Sequence, residues 1–183
     1  MSTHGRVGRG LCELAMLRQG WQVMARVRVL FVCLGNICRS PMAEGVFRQL
    51  VEAEGLADLI EIDSAGTHAY HVDDPPDPRA QAAVRRRGID ISGLRGRQAT
   101  AADFARFDYV LAMDHENYAH LEALAPPQHA HKLRLFLEYA TRCSERAVPD
   151  PYFGSDNGFD RVLDMIEDAA AGLLREIRQR MSP

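Results

Sequence analysis

The sequence contains few cysteines and no long apolar segment. Four cysteines in 183 residues are too few for a disulfide-stabilised extracellular scaffold, so we expect a protein of the reducing cytoplasm. The apolar runs are all shorter than ten residues, which is too short to span a bilayer, and the N-terminal segment has no continuous apolar stretch of the kind found in secretory signals. We therefore expect no contact with membranes.

An excess of basic charge is also absent. The formal net charge is −3, whereas a general nucleic-acid-binding protein normally carries a strongly basic surface, so nucleic acid is not an expected partner. Lysine is nearly missing, since Lys132 is the only one among the 22 basic residues. We attribute this bias to genome composition and not to phosphate binding. A hydrophobic content of 46% is typical of a globular protein with a buried core.

Residues 1–25 differ from the remainder of the chain. They carry three arginines against one acidic residue, and they precede the first clear strand pattern. Two interpretations stay open: a flexible or weakly helical extension, or a stretch upstream of a true start at Met24. We accordingly predict an N-terminal extension, residues 1–25, followed by one domain, residues 26–183.

Strand and helix patterns alternate along this predicted domain. Four stretches rich in β-branched and other apolar residues are predicted as strands: 27–32, 59–63, 108–113 and 132–137. Four stretches with helical periodicity are predicted as helices: 42–54, 78–87, 115–124 and 162–177. This alternation predicts an α/β fold of three layers, in which a four-stranded parallel sheet has helices on both faces.

Polar side chains follow the predicted strands. Cys33, Ser64 and Asp114 follow the first three strands, and the loop that contains Asp150 follows the fourth. The carboxyl ends of parallel strands share one edge of a sheet, and ligands of such sheets bind there. We therefore look for the functional site among the loops at this edge.

The segment after the first strand, CLGNICRS at residues 33–40, has the Cys-x5-Arg spacing of cysteine-dependent phosphatases. The spacing alone is a weak signal, because about 0.5 accidental matches are expected in this composition, and Cys12 with Arg18 is one. The Cys33 match differs from it by following a strand, containing glycine and preceding a helix signal. Its Arg39 can bind two phosphoryl oxygens at once, so we predict a phosphate loop here.

The residue types within this loop suit an anion. Gly35 and Asn36 tolerate the positive φ angles that a tight anion-binding loop needs. Ser40 and Pro41 are typical of the N-cap and the first residue of a helix. The positive end of that helix favours an anion in the loop and the thiolate form of Cys33.

The longer motif CLGNICRSP resembles the signature of the low-molecular-weight protein tyrosine phosphatases. The similarity covers roughly residues 27 to 178. It continues through DSAGT (63–67), PPD (75–77), FDYVLAMD (107–114) and PDPYFG (149–154). The resemblance implies an α/β fold with a phosphate loop after the first strand, and a cytoplasmic tyrosine phosphatase that needs neither a metal nor an organic cofactor.

The resemblance also implies catalytic roles. Cys33 is expected to attack phosphorus and form a cysteinyl-phosphate intermediate, while Arg39 holds the phosphoryl group and stabilises the transition state. Asp150 is expected to protonate the leaving phenolate and then to activate the water that hydrolyses the intermediate. Ser40 is expected to donate a hydrogen bond to the Cys33 sulfur, or to cap the helix, or both.

Further residues are assigned to binding and support by the same resemblance. Asn36 and Ser64 are expected to brace the loop by side-chain hydrogen bonds, and Tyr70 and Tyr152 to form aromatic walls that stack on a phenyl ring. The phosphate-binding residues are then Leu34, Gly35, Asn36, Ile37, Cys38 and Ser40. Similarity to the family implies a reversible disulfide between Cys38 and Cys33 under peroxide. A small buried side chain is the other interpretation of Cys38.

The expected partner is a phosphotyrosine-containing protein, with a bacterial tyrosine kinase as one candidate and inorganic phosphate as the product. Two alternatives of the same fold stay open, a phosphoarginine phosphatase and an arsenate reductase. Relatives of the first kind typically carry threonine where Ile37 stands. The second would need further cysteines within residues 91–114, a stretch that contains none.

Overall fold

The four predicted strands form one parallel sheet in the order β2-β1-β3-β4 in the computed structural model of the chain. The strands are β1 (Val27–Cys33), β2 (Ile60–Gly66), β3 (Tyr109–Ala112) and β4 (Leu133–Leu135). The structure describes residues 26–152 and 158–181, so the predicted extension, residues 1–25, lies outside the described residues. Because β1 is a central strand, Cys33 at its end lies in the middle of the carboxyl edge of the sheet.

Helices cover both faces of the sheet, as the sequence predicts. Alternate residues of β1 explain this, since Val29 and Phe31 belong to one buried cluster and Leu30 and Val32 to another. The helices of the first cluster are α1 (Arg39–Ala53), α2 (Pro78–Arg85) and α5 (Gly158–Met181). Those of the second are α3 (Ala101–Arg106) and α4 (His115–Leu124). No helix in these described ranges is long and apolar enough to cross a bilayer.

The fourth strand is shorter than predicted. Only Leu133–Leu135 of the predicted range 132–137 are in a strand, and short 3₁₀ helices, Pro127–Lys132 and Phe136–Tyr139, precede and follow it. The reason lies in its partner, because β3 ends at Ala112, which pairs with Leu135. Beyond that pair the backbone of β4 has no neighbouring strand to bind.

Candidate active site

A pocket of about 150 Å³ opens at the carboxyl end of β1. Its wall includes the loop between β1 and α1, the segment after β2 and the segment before α5. Nine of the predicted site residues line it: Cys33, Leu34, Gly35, Ile37, Cys38, Arg39, Tyr70, Asp150 and Tyr152. The other three, Asn36, Ser40 and Ser64, are buried and hydrogen-bonded to one another beside the loop. His71 also lines the pocket, although it is not among the predicted residues.

Asn36 provides the left-handed turn of the phosphate loop. Its φ angle is 57°, in the region that asparagine tolerates better than most residues. Its Nδ2 donates hydrogen bonds to Ser40 Oγ and to Ser64 Oγ, each at 2.9 Å. Its Oδ1 accepts from the backbone N–H of Arg97 at 2.9 Å. A glycine would supply the same backbone angle but none of these three bonds, so the asparagine side chain both permits and braces the turn.

Ser40 does not cap the helix. The prediction of an N-cap at Ser40 is wrong, because α1 begins at Arg39 and Cys38 is the N-cap residue. The Ser40 hydroxyl lies 3.1 Å from Cys33 Sγ and 3.2 Å from the carbonyl oxygen of Ala65. Since this oxygen also accepts from Asn36, its single proton points to the sulfur or to Ala65. The hydroxyl is thus used within the loop and is not available as a cap.

Arg39 is fixed on two sides. The residue is only 2% exposed, and its Nη1 lies 2.5 Å from Asp114 Oδ2 and 3.0 Å from the carbonyl oxygen of Val148. Its Nη2 lies 3.0 Å from Asp150 Oδ2. Burial alone would lower the pKa of the guanidinium, but the negative charges of Cys33, Asp150 and Asp114 outweigh it and raise the pKa above its usual value. The cation is therefore held in place and in its charged form.

Asp114 is a site residue that the sequence places at the carboxyl edge of the sheet but to which it assigns no role. It is the N-cap of α4, and its Oδ1 accepts from the backbone N–H of Asn117 at 2.7 Å. Its other oxygen receives Arg39. One carboxylate thus follows β3, begins a helix and positions the guanidinium. A polar residue directly after a parallel strand was the available signal.

Ser64 connects the loop to a buried carboxylate. The residue lies within β2 and not after it. Its hydroxyl accepts from Asn36 and donates to Glu44 Oε2 at 2.7 Å. Glu44 is 4% exposed, and its burial raises the pKa of the carboxyl although hydrogen bonds from Ser64 and Arg48 oppose the shift. An acidic residue among the apolar positions of α1 was the only sequence signal for this contact.

Cys33 and Cys38 are both free thiols in the buried part of the loop. Cys38 is 5% exposed. Burial, followed by the negative charge of Asp77, raises the pKa of its thiol well above the usual range. Cys38 is therefore protonated in this environment, and the predicted disulfide with Cys33 stays a prediction.

The loop that carries Asp150 is tied to the phosphate loop through Arg79. Asp150 Oδ1 accepts from the backbone N–H of Tyr152 at 3.0 Å. The guanidinium of Arg79 lies 5.2 Å from the centre of the Tyr152 ring and donates to the Tyr152 carbonyl oxygen at 3.2 Å. Arg79 also bonds Asp77, whose backbone N–H donates to the carbonyl oxygen of Ile37 at 2.8 Å. These contacts hold the carboxylate at the pocket mouth.

The pocket combines a buried sulfur, a fixed guanidinium and a partly exposed carboxylate. Sulfur is a nucleophile, a guanidinium binds tetrahedral oxyanions, and a carboxyl group transfers protons, so the set suits transfer of an anionic group by way of a covalent intermediate on sulfur. Within residues 26–152 and 158–181, no three His, Cys, Asp or Glu side chains converge closely enough to hold a metal ion.

Comparison with known proteins agrees with this geometry. A family model described as low molecular weight phosphotyrosine protein phosphatase matches residues 28–182. A putative low molecular weight protein-tyrosine-phosphatase of Synechocystis sp. is 44% identical over 156 residues, which cover 85% of this chain and 99% of that protein. The crystal structure of a protein tyrosine phosphatase from Entamoeba histolytica is 38% identical with a TM-score of 0.81, covering 84% of this chain and 97% of the other. The crystal structure of a Drosophila arginine phosphatase is 35% identical with a TM-score of 0.76, covering 82% and 97%.

Proposed function

The chain belongs to the low molecular weight phosphotyrosine protein phosphatase family and is a protein-tyrosine phosphatase, and from this premise we propose that it hydrolyses phosphotyrosine in two steps through Cys33, Arg39 and Asp150. The observation that carries the proposal is that these three side chains line one pocket. Cys33 and Arg39 belong to one loop, and Asp150 comes from a distant segment of the chain. Together they supply the nucleophile, the cation and the acid of the proposed reaction.

In the first step the Cys33 thiolate attacks phosphorus. The P–O bond to the tyrosine oxygen breaks, and the departing phenolate takes the proton of the Asp150 carboxyl group. The products are the dephosphorylated tyrosine side chain and a cysteinyl-phosphate. Protonation makes the phenolate a better leaving group, and a positioned acid contributes a rate factor of about 10²–10⁴.

In the second step a water molecule attacks the phosphorus of the cysteinyl-phosphate. Asp150, now a carboxylate, takes a proton from that water as the S–P bond breaks. The products are inorganic phosphate and the Cys33 thiolate, so the enzyme returns to its starting state. The Ser40 hydroxyl, 3.1 Å from Sγ, is placed to donate a hydrogen bond to the sulfur as negative charge returns to it.

Arg39 binds the phosphoryl oxygens in both steps. Its guanidinium is anchored by Asp114 and by the carbonyl of Val148, so its orientation is set before the substrate arrives. A cation fixed in advance stabilises the developing charge without reorganisation at the moment of reaction. The loop backbone N–H groups and the positive end of α1 add to this field.

Replacement of the nucleophile tests the proposal. Cys33→Ser should abolish turnover of a phosphotyrosine peptide, because a serine hydroxyl is not ionised at neutral pH. Cys143→Ser is the matched control, since Cys143 is also a free thiol but does not line the pocket. It should keep the activity of the unmodified chain. Wild-type turnover by Cys33→Ser would overturn the mechanism.

A phosphoarginine phosphatase is the second candidate, and the similarity to the Drosophila arginine phosphatase is the observation that favours it. Ile37, which lines the pocket, favours an aromatic leaving group instead. The test is kcat/KM on matched phosphotyrosine and phosphoarginine peptides, with the larger value expected for phosphotyrosine. Arsenate reduction has no comparable support, because Cys143 does not line the pocket of Cys33.

The proposed partner is a phosphotyrosine-containing protein, and a bacterial tyrosine kinase is the first candidate. Asp150→Ala should bind the phosphorylated partner but turn it over slowly, because binding uses the loop and Arg39 while turnover needs the acid. Trapping with this variant, followed by mass spectrometry of the captured phosphoproteins, identifies the partner. Inorganic phosphate added in excess should compete the capture away, which separates binding in the pocket from adhesion elsewhere.

A further inference from the structure

Tyr70 is the most exposed large apolar side chain at the pocket mouth. Its relative exposure is 71%, yet it forms part of the pocket wall. Its ring stacks on that of His68, with 5.0 Å between ring centroids and 10° between the planes. A side chain this exposed normally samples several rotamers. The stacked histidine is therefore the contact that can hold the Tyr70 ring in one orientation.

His68 is itself fixed to the phosphate loop. Its Nδ1 lies 2.9 Å from Oγ1 of Thr67, which is buried. The backbone N–H groups of Thr67 and His68 donate to the carbonyl oxygens of Cys33 and Leu34, at 2.8 and 3.0 Å. The distance from the nucleophile to the histidine is thus set by backbone hydrogen bonds.

A second histidine ring lies close to that of His68. His120, on the exposed side of α4, has its ring centroid 5.0 Å from that of His68, with the two planes tilted by 47°. His68 therefore contacts both His120 and Tyr70, and Tyr70 lines the pocket. His68 is shared by the two ring contacts, so its removal leaves Tyr70 without its stacked neighbour.

We propose that His68 is a positioning residue that determines specificity, because it holds Tyr70 as a wall against the aromatic ring of the substrate. The inference rests on the proposed function, in which the phosphoryl group lies in the loop and the phenyl ring extends to the pocket mouth. An alkyl phosphate has no ring to stack on that wall. His68 thus increases the preference of the pocket for aryl over alkyl phosphoryl groups.

The test is binding of three anions to the full chain by calorimetry: phenylphosphonate, methylphosphonate and inorganic phosphate. Phosphonates are not hydrolysed, so the result does not depend on turnover. His68→Ala should weaken phenylphosphonate binding by about two- to tenfold, the range of an aromatic pair. Binding of methylphosphonate and phosphate should stay unchanged. With a phosphotyrosine peptide, KM should rise while kcat stays the same.

Three further variants sharpen the result. His68→Phe keeps the stack without the bond to Thr67, and it should restore phenylphosphonate binding. His120→Ala removes only the contact of His120 with His68, so it should weaken phenylphosphonate binding less than His68→Ala does. His131→Ala, an exposed histidine that does not line the pocket, should bind all three anions like the wild type.

Two results would overturn the inference. If His68→Ala binds phenylphosphonate as tightly as the wild type does, the stack does not position Tyr70. Equal weakening of all three anions would show that His68 supports the phosphate loop and not the wall. Neither result touches the proposed function, which fails instead if the wild-type chain does not hydrolyse phosphotyrosine.

Discussion

The carboxylate of Asp150 and the guanidinium of Arg39 form an ion pair, with 3.0 Å between Oδ2 and Nη2. The proposed general acid therefore contacts the cation that is proposed to bind the phosphoryl group. Asp114 and the carbonyl of Val148 already bind Nη1. A phosphoryl oxygen that approaches Nη2 meets the Asp150 carboxylate there, so we expect the two anions to compete.

Replacing Asp150 should thus separate binding from turnover. In Asp150→Asn, kcat should fall by about 10²–10⁴-fold, the usual contribution of a positioned acid. The loss should be largest for substrates with poor leaving groups, because these depend most on protonation. Inorganic phosphate should bind at least as tightly as to the wild type, since an anionic competitor is gone. The measurements are kcat across a series of aryl phosphates and the inhibition constant of phosphate.

The control for this variant is Asp58→Asn, which removes an exposed acidic residue outside the pocket. It should leave both measurements unchanged. If the kcat of Asp150→Asn fell equally for good and poor leaving groups, Asp150 would not be the acid.

Asp114 has two functions that two substitutions can separate. Asparagine is also a good N-cap, so Asp114→Asn should keep the start of α4 but lose the ion pair with Arg39. Asp114→Ala loses both. We expect both variants to lower kcat/KM by about ten- to a hundredfold, the value of a hydrogen bond to a charged group. The alanine variant should also be less stable than the asparagine variant by about 0.5–2 kcal/mol of unfolding free energy, the usual cost of a lost cap.

Urea unfolding and steady-state kinetics check both expectations. An asparagine variant with full kcat/KM would show that Asp114 does not position Arg39. Equal unfolding free energies for the two variants would show that the cap is not formed in solution.

Ser64 should stabilise the phosphate loop through its buried hydrogen bonds with Asn36 and Glu44. Ser64→Ala leaves Glu44 and Asn36 each with one hydrogen-bond partner fewer in a buried site. Such losses cost about 1–3 kcal/mol of unfolding free energy. Urea unfolding measures this cost, and Ser144→Ala, on an exposed segment, is the control. An unchanged unfolding free energy in Ser64→Ala would contradict the bracing role.

The fold could be predicted because each of its signals is local. The apolar, β-branched run of β1 and the glycine-asparagine turn after it are patterns within a few residues. The ion pair of Arg39 with Asp114 spans 75 positions of the chain, and no periodicity encodes such a contact. The same holds for the contact of His68 with His120. A local rule also failed at Ser40, whose hydroxyl meets the requirements of a cap but is bound by Asn36 and Cys33 instead.

The predictions about residues 1–25 concern a segment outside the described residues. The division into an extension and a domain at residues 26–183 stays a proposal, as does the cytoplasmic location. The family model begins at residue 28, which agrees with the proposed division without establishing it.

Asp168 connects the last helix to the segment that leads to Asp150, the proposed general acid. This carboxylate lies on α5, is 4% exposed, and accepts hydrogen bonds from the backbone N–H groups of Thr141, Arg142 and Cys143 at 3.0, 2.8 and 3.2 Å. Burial alone would raise its pKa, but hydrogen bonds from the Arg142 and Cys143 backbone and from the Arg142 and Thr141 side chains outweigh it. They lower the pKa from 3.8 to about 2.

A lowered folded-state pKa makes stability depend on pH in one direction. The contribution of Asp168 is fully present above its unfolded-state pKa of about 4 and is lost as the pH falls towards 2. Asp168→Asn should therefore lose about 2 kcal/mol of unfolding free energy at pH 7, and the difference from the wild type should shrink as the pH is lowered from 4 to 2. Asp164→Asn, which breaks a surface ion pair with Arg87 one turn earlier, should cost less than about 1 kcal/mol. Urea titrations of the three proteins across this pH range give the comparison. If the difference between Asp168→Asn and the wild type does not change with pH, residues 141–143 do not hold the carboxylate as an anion.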